Sequence, residues 1–440
     1  MMMTWGRATL MAAIMTAALW APSALAAVPG LTWLPAWYAS PEPVGGEAPS
    51  LHDTTLRQIV RVTADGRMVR LRLSNAYGAE PLHLDDIRVA RRDTGSRIDP
   101  ASDREVTFDA KSGVTIAPGA YALSDPIALD VAADSELAVS LYVAGPVKMT
   151  TVHDIQRDVL YTAPGNQTAA DVLPDDRPGI GPDIALGSAF PWLSEVEVAD
   201  SHETATLIAF GDSITEGYGI DRDRGGTWPD VLSRRLHAAG YPLAVTNAGL
   251  SGNRLLHNGQ SARFGDAGLA RFDRDVLAQP NAAAVIVLIG INDLGHAGAA
   301  GAPEYESAED MIMGLEQLAS RAHERGLRIY VGTLTPFVGT VFTNYYSDEK
   351  EQRRQAINAW IRTQTVFDGV IDFEKVTEDP AAPGHLLPAF DHGDHLHPNS
   401  AGTAAMADAI PLGLFDWAKP VTPRPVKSRS GLSRSAGHRP

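Results

Sequence analysis

The stretch FDHGDHLHPN, Phe390 to Asn399, places two aspartates and three histidines within ten residues. Such residues serve metal ligation, imidazole–carboxylate proton transfer, or simply a solvated polar loop. Spacing narrows the choice. Asp394 and His397 stand three apart, close enough on a turn for the carboxylate to orient the ring and leave its far nitrogen free. His395 has His392 three positions before it, so that spacing gives it no carboxylate. His392 and His395 are therefore expected to be exposed or to support the pair from behind. Pro398, then Asn399 or Ser400, opens the helix AGTAAMADAI, which would fix the loop.

Three other polar stations precede this one, each just after an apolar run. FGDSITEGYG follows TATLIAFG and puts Ser213 at a strand-to-helix turn, hydroxyl at the sheet edge and its own N–H free to donate. Gly-Asp-Ser turns are common, and taken alone the motif reads more readily as an ordinary turn than as a nucleophile. NAGLSGN brings Gly252, where backbone can approach a ligand and donate an N–H, or which is a plain turn glycine. IGIND follows the most apolar run, AAAVIVLIG, and places Asn292 where an amide must find a partner or point into a cleft. That amide is a suitable oxyanion donor, while Asp293 could cap the next segment.

The elements that would position these residues fall into two rhythms. From about Leu31 to Asp200, runs such as LRQIVRVTA, RMVRLRLSN and SELAVSLYVAG alternate with period two between turn residues, the pattern of an antiparallel β-sandwich. GNQTAADVLPDDRPGIGPDIALGSAFPW then reads as a long irregular connection. From 203 to 418, continuous apolar runs (TATLIAFG, LAVTNAG, AAAVIVLIG, LRIYVGTLTP, GVIDFEKV) alternate with the helical segments WPDVLSRRLHAAG, SAEDMIMGLEQLASRAHERG and SDEKEQRRQAINAWIRTQTVF. That alternation implies an α/β domain, a parallel sheet covered on both faces, with sites outside the carboxyl ends of its strands. The G-x-S-x-G elbow is absent, which disfavours the α/β-hydrolase fold.

Composition sets the surroundings. Residues 1–26 carry Arg7, a short apolar run and Ala24-Leu25-Ala26, the marks of a secretory signal peptide cleaved near Ala26. The chain has no cysteine, hence no disulfide, thiol nucleophile or cysteine-held metal. Export without disulfides suggests a secreted or periplasmic bacterial protein. The formal charge of −16 becomes −17 without Arg7 and about −23 once the six Lys/Arg of the basic tail 419–440 are set aside. Such a body should repel nucleic acid and anionic membranes, and the tail reads as disordered. No later run reaches the length of a membrane span, so stable membrane insertion is not expected.

Taken together, Ser213 in GDS, Gly252, Asn292 in GxND, and Asp394 with His397 in DxxH resemble the SGNH subgroup of the GDSL hydrolases. All four blocks occur in that family's order, over about residues 204–417. The resemblance implies a three-layer α/β/α, flavodoxin-like domain and ester hydrolysis through an acyl-serine, without cofactor or metal. Ser213 would then be the nucleophile, His397 the general base and Asp394 its orienting partner. The N–H groups of Ser213 and Gly252 and the Asn292 amide would form the oxyanion hole. The first half looks like the β-sandwich that precedes this domain in some secreted carbohydrate esterases. The expected substrates are short acyl, above all acetyl, esters of carbohydrates or small alcohols. The alternatives are a lipase-like hydrolase of longer acyl esters, a metal-dependent phosphoesterase, and a non-catalytic glycan-binding protein. In the last, Trp33, Trp37 and Tyr38 would supply sugar-stacking faces or else be core. Oligomeric state is not legible here.

Overall fold

The computed structural model describes residues 31–153, 159–174, 189–220, 226–298 and 304–419; the expected signal peptide and all but the first residue of the tail lie outside them. In the first half two five-stranded sheets face each other. One holds Trp33–Tyr38, Leu193–Ala199, Gly66–Ser74 and Tyr121–Leu123, with Ile127–Val131 also on the Gly66–Ser74 strand. The other orders Val159–Pro164, Thr54–Arg61, Glu136–Val143, Asp86–Arg91 and Arg104–Glu105. Every pair is antiparallel. Period-two alternation puts Val69, Leu71 and Leu73 of one sheet and Leu137, Val139 and Leu141 of the other into a single core. The architecture is therefore the expected sandwich.

Leu193–Ala199 was not evident as a strand in the sequence, because it directly follows the Gly- and Pro-rich connection and carries glutamates at 195 and 197. It lies between Trp33–Tyr38 and Gly66–Ser74, and Glu195 and Glu197 pair with Arg72 and Arg70 of the latter. Half of that connection, residues 175–188, lies outside the described residues. Trp37 and Tyr38 are buried, which removes them as sugar-stacking faces. The half-buried Trp33 is covered by the Arg70 guanidinium, 4.3 Å from its ring.

The second half is built on five parallel strands in the spatial order Leu243–Gly249, Ala205–Gly211, Ala282–Leu288, Arg328–Gly332, Gly369–Ile371. Numbered along the chain this is 2-1-3-4-5, the flavodoxin-like order. Successive residues face opposite layers. Leu207, Ala209, Ile286 and Tyr330 pack with Leu232 and Leu236 of α2 (Trp228–Ala238) and Met406 of α8 (Ser400–Ala409). Ile208, Phe210, Val287 and Val331 pack with Leu315 and Leu318 of α5 (Ala308–Glu324) and Ile357 and Ile361 of α6 (Asp348–Thr363). Burial on both faces is why these strands read as unbroken apolar runs.

Helix starts follow their caps. Thr227 with Asp230, and Ser307 with Asp310, form capping boxes, and Asn399 caps α8. The run GVIDFEKV divides: only Gly369–Ile371 is strand, and Asp372 caps the short helix Phe373–Thr377. The two halves share a polar seam: Thr63 Oγ1 donates to Val245 O at 2.6 Å, Asn281 Nδ2 to Trp33 O at 2.8 Å, and Tyr38 Oη to Asp275 Oδ1 at 2.7 Å.

Candidate active site

The polar stations converge at the carboxyl ends of the sheet. Gly211 ends its strand where a Cβ would stand 2.4 Å from Leu288 O, so only glycine fits. Asp212 caps the short helix α1 (Ser213–Glu216), accepting from Ile214 N at 3.0 Å. As first residue of that helix, Ser213 presents an N–H that no residue of the same helix can accept. Its Oγ lies 2.8 Å from His397 Nε2, and His397 Nδ1 lies 2.6 Å from Asp394 Oδ2. Asp394 Oδ1 accepts from the N–H groups of Leu396, at 3.0 Å, and His397, at 2.8 Å. Since Nδ1 faces a carboxylate, it carries the ring proton, and Nε2 is left to accept from Ser213. Burial alone would raise Asp394, but the hydrogen bond and charge of His397 and the two N–H groups outweigh it and hold the carboxyl at about 2.

On the other side of Ser213, Gly252 takes φ +69°, and a Cβ there would meet the Phe264 ring at 2.3 Å. The glycine is thus required twice, by conformation and by space. Asn292 Nδ2 donates to Asn253 O at 3.1 Å, and its Oδ1 accepts from Tyr345 Oη at 2.8 Å. Asp293 does not cap its helix as its position suggested. It accepts from Leu255 N at 2.7 Å and Leu256 N at 2.9 Å, cross-linking the strand end that carries Asn292 to the loop that follows Gly252. Burial pushes both Asp212 and Asp293 up to about 7, against the N–H groups they accept from.

The structure also corrects the reading of the histidine loop. His395 does have a carboxylate, one position further back than spacing suggested: Asp391 Oδ2 pairs with its Nδ1, and Asp391 Oδ1 accepts Gly393 N and His395 N. A left-handed residue, His395 at φ +59°, makes that longer turn. His392 donates its N–H to His397 O and sets its ring edge-on to Tyr218. Each aspartate of the loop is thus committed to a histidine of the loop. Among the described residues no three His, Asp or Glu side chains converge as metal ligands.

Several contributors escaped the sequence reading. Arg271, fully buried, donates to Gly211 O at 2.7 Å, Ala248 O at 2.9 Å and Asn253 Oδ1 at 2.9 Å, gathering two strand ends and the loop that carries Gly252. It also reaches Ser40 Oγ of the sandwich, at 3.2 Å. Glu216, at the end of α1, accepts from Ser251 Oγ and meets His153 Nε2 of the sandwich at 3.3 Å. His153 Nδ1 faces the Ser40 carbonyl at 3.1 Å, which only accepts, so that nitrogen carries a ring proton. Tyr218 packs its ring 4.3 Å from that of His397, and Phe342 stands edge-on at 6.0 Å. None of these carries a local signal: an isolated Arg, Glu or Tyr in a loop looks like solvated surface.

Residues 209–405 match the GDSL-like lipase/acylhydrolase family. The chain is similar to an esterase, TesA, of Pseudomonas aeruginosa, 32% identical over 137 residues, which are 31% of this chain and 58% of that protein. The match thus spans less than two thirds of the relative's length. Among solved structures, a lipase/acylhydrolase from Enterococcus faecalis is 22% identical, covering 50% of this chain and 100% of its own, with a TM-score of 0.38. An acetyl xylan esterase, AlAXEase, is 21% identical over 46% of this chain and 96% of its own, with a TM-score of 0.35.

Proposed function

We propose that this protein, whose C-terminal domain belongs to the GDSL-like lipase/acylhydrolase family, hydrolyses carboxylic esters through an acyl-serine at Ser213. The observation that carries this reading is the continuous relay Ser213 Oγ–His397 Nε2–His397 Nδ1–Asp394 Oδ2, with steps of 2.8 and 2.6 Å. In the first half-reaction Ser213 Oγ attacks the ester carbonyl while Nε2 takes its proton, and Asp394 stabilises the imidazolium. The tetrahedral oxygen develops its negative charge against the N–H groups of Ser213 and Gly252 and the Asn292 amide. One such donor is worth about 3–4 kcal/mol in the transition state. The imidazolium then gives its proton to the departing alcohol, and in the second half-reaction His397 draws a proton from water, which cleaves the acyl-serine to acid and free enzyme.

The alcohol leaves on the His397 side, where the partly exposed rings of Tyr218 and Phe342 stand. Those faces support an alcohol with a ring to stack, such as a sugar. The Phe264 ring, pressed against Gly252, fills space beside the proposed oxyanion donor and supports a short acyl group such as acetyl. The apolar N-terminal segment with its Ala24-Leu25-Ala26 site supports action outside the cytoplasm, in a bacterial periplasm or medium. Two measurements test the proposal. Ser213→Ala should abolish labelling by a fluorophosphonate with the fold unchanged; labelling that persists on another serine removes Ser213 from the mechanism. Comparison of kcat/KM for acetyl, butyryl and decanoyl esters of one alcohol should favour acetyl. A tenfold preference for decanoyl would replace the short-acyl assignment with a lipase-like one.

A further inference from the structure

The segment after the fourth strand of the α/β sheet, residues 336–346, was assigned no role by its sequence, yet it touches both arms of the site. Val341 N donates to Asp394 O at 3.1 Å, the Phe342 ring stands against His397, and Tyr345 Oη reaches Asn292 Oδ1. We infer that Tyr345 is a positioning residue for the oxyanion hole, its hydroxyl locking the Asn292 side-chain amide in the one orientation that offers an N–H to the substrate oxygen.

The inference rests on the esterase reading and on which groups can donate. Asn253 O is a main-chain carbonyl and only accepts, so the amide must turn its nitrogen, Nδ2, toward it. Nδ2 spends one hydrogen there and keeps the second. Oδ1 then necessarily faces Tyr345, whose hydroxyl must donate. Burial, reinforced by the charges of Asp212, Asp293 and Asp394, holds the phenol far above its ordinary range, so the donor is present at any pH the enzyme meets. Without that donor Oδ1 would be an unsatisfied buried acceptor, and the amide would lose one of the two contacts that fix its rotation.

The tyrosine is itself held tightly. A Cβ on Gly295, near the end of the helix α4 (Ile291–His296) that carries Asn292 in its first turn, would stand 2.1 Å from the Tyr345 ring, so the glycine admits the ring. Phe337, Phe342 and His296 surround it at ring distances of 6.1, 6.0 and 5.1 Å. The buried Lys350 ammonium donates to Gly295 O at 2.7 Å, Asn344 O at 2.8 Å and Tyr345 O at 3.2 Å, pinning the tyrosine backbone to the end of α4. A side chain wanted only for packing would not need its hydroxyl aimed at an amide oxygen.

Tyr345→Phe keeps the ring and removes the donor. The expected result is a fall in kcat of about tenfold, with KM within about twofold, against about 10²–10³ for Asn292→Ala. In an Asn292→Ala background the same change should cost kcat less than about twofold, because there is no amide left to orient, and its cost in Tm should shrink too, because the hydroxyl has already lost its acceptor. The rate at which a fluorophosphonate modifies Ser213, which also builds charge in the oxyanion hole, should fall in parallel. Hydrogen exchange of the Asn292 NH2, followed by NMR on the intact protein, should quicken at least about fivefold in Tyr345→Phe. A Tyr345→Phe enzyme with kcat within twofold of wild type, a further tenfold loss in the Asn292→Ala background, or unchanged exchange at Asn292 would each overturn the role. If wild-type Ser213 is not labelled at all, the esterase reading fails by itself, and the exchange measurement still decides whether Tyr345 holds the amide.

Discussion

Each half of this molecule buries an arginine that lives mostly on main-chain carbonyls, and the two are used differently. In the sandwich, Arg57 donates to Ser96 O at 2.6 Å, Thr168 O at 3.0 Å, Ala170 O at 2.7 Å and Ser140 Oγ at 2.9 Å. It fastens loops to the outer face of a sheet, and burial lowers it to about 10. In the α/β domain, Arg271 holds the carboxyl ends of two strands together and is neutralised by Asp275 at 3.0 Å. Burial would also raise Asp275, but Arg274 and Arg271 hold that carboxyl at about 2. Parallel strands end together at one edge of the sheet, so the groups that tie those ends also set the spacing of whatever chemistry sits on them. Antiparallel strands end at both edges, and the same device there fixes shape only. The seam between the halves follows this division. The sandwich reaches that edge through Ser40, Tyr38 and His153, which meet Arg271, Asp275 and Glu216.

Two histidines, one from each half, give the largest contrast. His397 and His153 are both buried beside carboxylates, Asp394 and Glu216. His397→Ala should reduce kcat by about 10⁴–10⁶ with little change in stability. His153→Ala should leave kcat within about tenfold and instead cost about 1–3 kcal/mol of unfolding free energy, because Glu216 loses a buried partner. Esterase rates and urea unfolding on the same two proteins check this; a His153→Ala enzyme as dead as His397→Ala would make the sandwich part of the catalytic machinery itself.

The arginines come next. Arg57→Met and Arg271→Met should each destabilise by about 3–5 kcal/mol, the first through orphaned carbonyls and the second through orphaned carbonyls and the loss of one of the two arginines paired with the buried Asp275. Only Arg271→Met should also lower kcat in whatever fraction remains folded. Active-site titration with a fluorophosphonate separates that loss from simple unfolding. Equal kcat per labelled site in both variants would show that Arg271, like Arg57, only holds shape.

The smallest effect is a slope. Asp212 ionises at 3.8 in the unfolded chain but keeps its proton to about 7 when folded. Between those values the folded state binds more protons, so stability falls as pH rises through the window and levels off above it. Asp212→Asn retains an acceptor for Ile214 N and removes the titration. Its unfolding free energy, measured from pH 4 to 7, should therefore decline less steeply than that of the wild type, by at most about 1.4 kcal/mol per pH unit. Parallel curves would show that Asp212 is ionised in the fold, compensated by the nearby Arg271.

What the amino-acid order determined was whatever depends on neighbours along the chain. Period-two alternation and unbroken apolar runs separated the sandwich from the parallel sheet. The strand-end rule then directed attention to Ser213, Gly252, Asn292 and the Asp394–His397 turn, which the fold gathers at one edge. The Asn399 cap was a local hydrogen bond and was read as such; Thr227 and Ser307 cap their helices in the same local way. The tertiary structure decided what depends on contacts between distant segments. A Tyr after one strand reaching an Asn after another, an Arg spanning Gly211 O and Ala248 O, and a sandwich His meeting Glu216 all join residues with no shared periodicity. The same limit explains the two misreadings. Asp293 could by position have capped its own helix but bonds a loop 37 residues away. His395 was denied a partner because Asp391 lies four positions back, across a left-handed turn that spacing alone does not reveal. Hydrogen-bond satisfaction in a buried site is set by whichever donor the fold brings near, and chain distance carries no information about that.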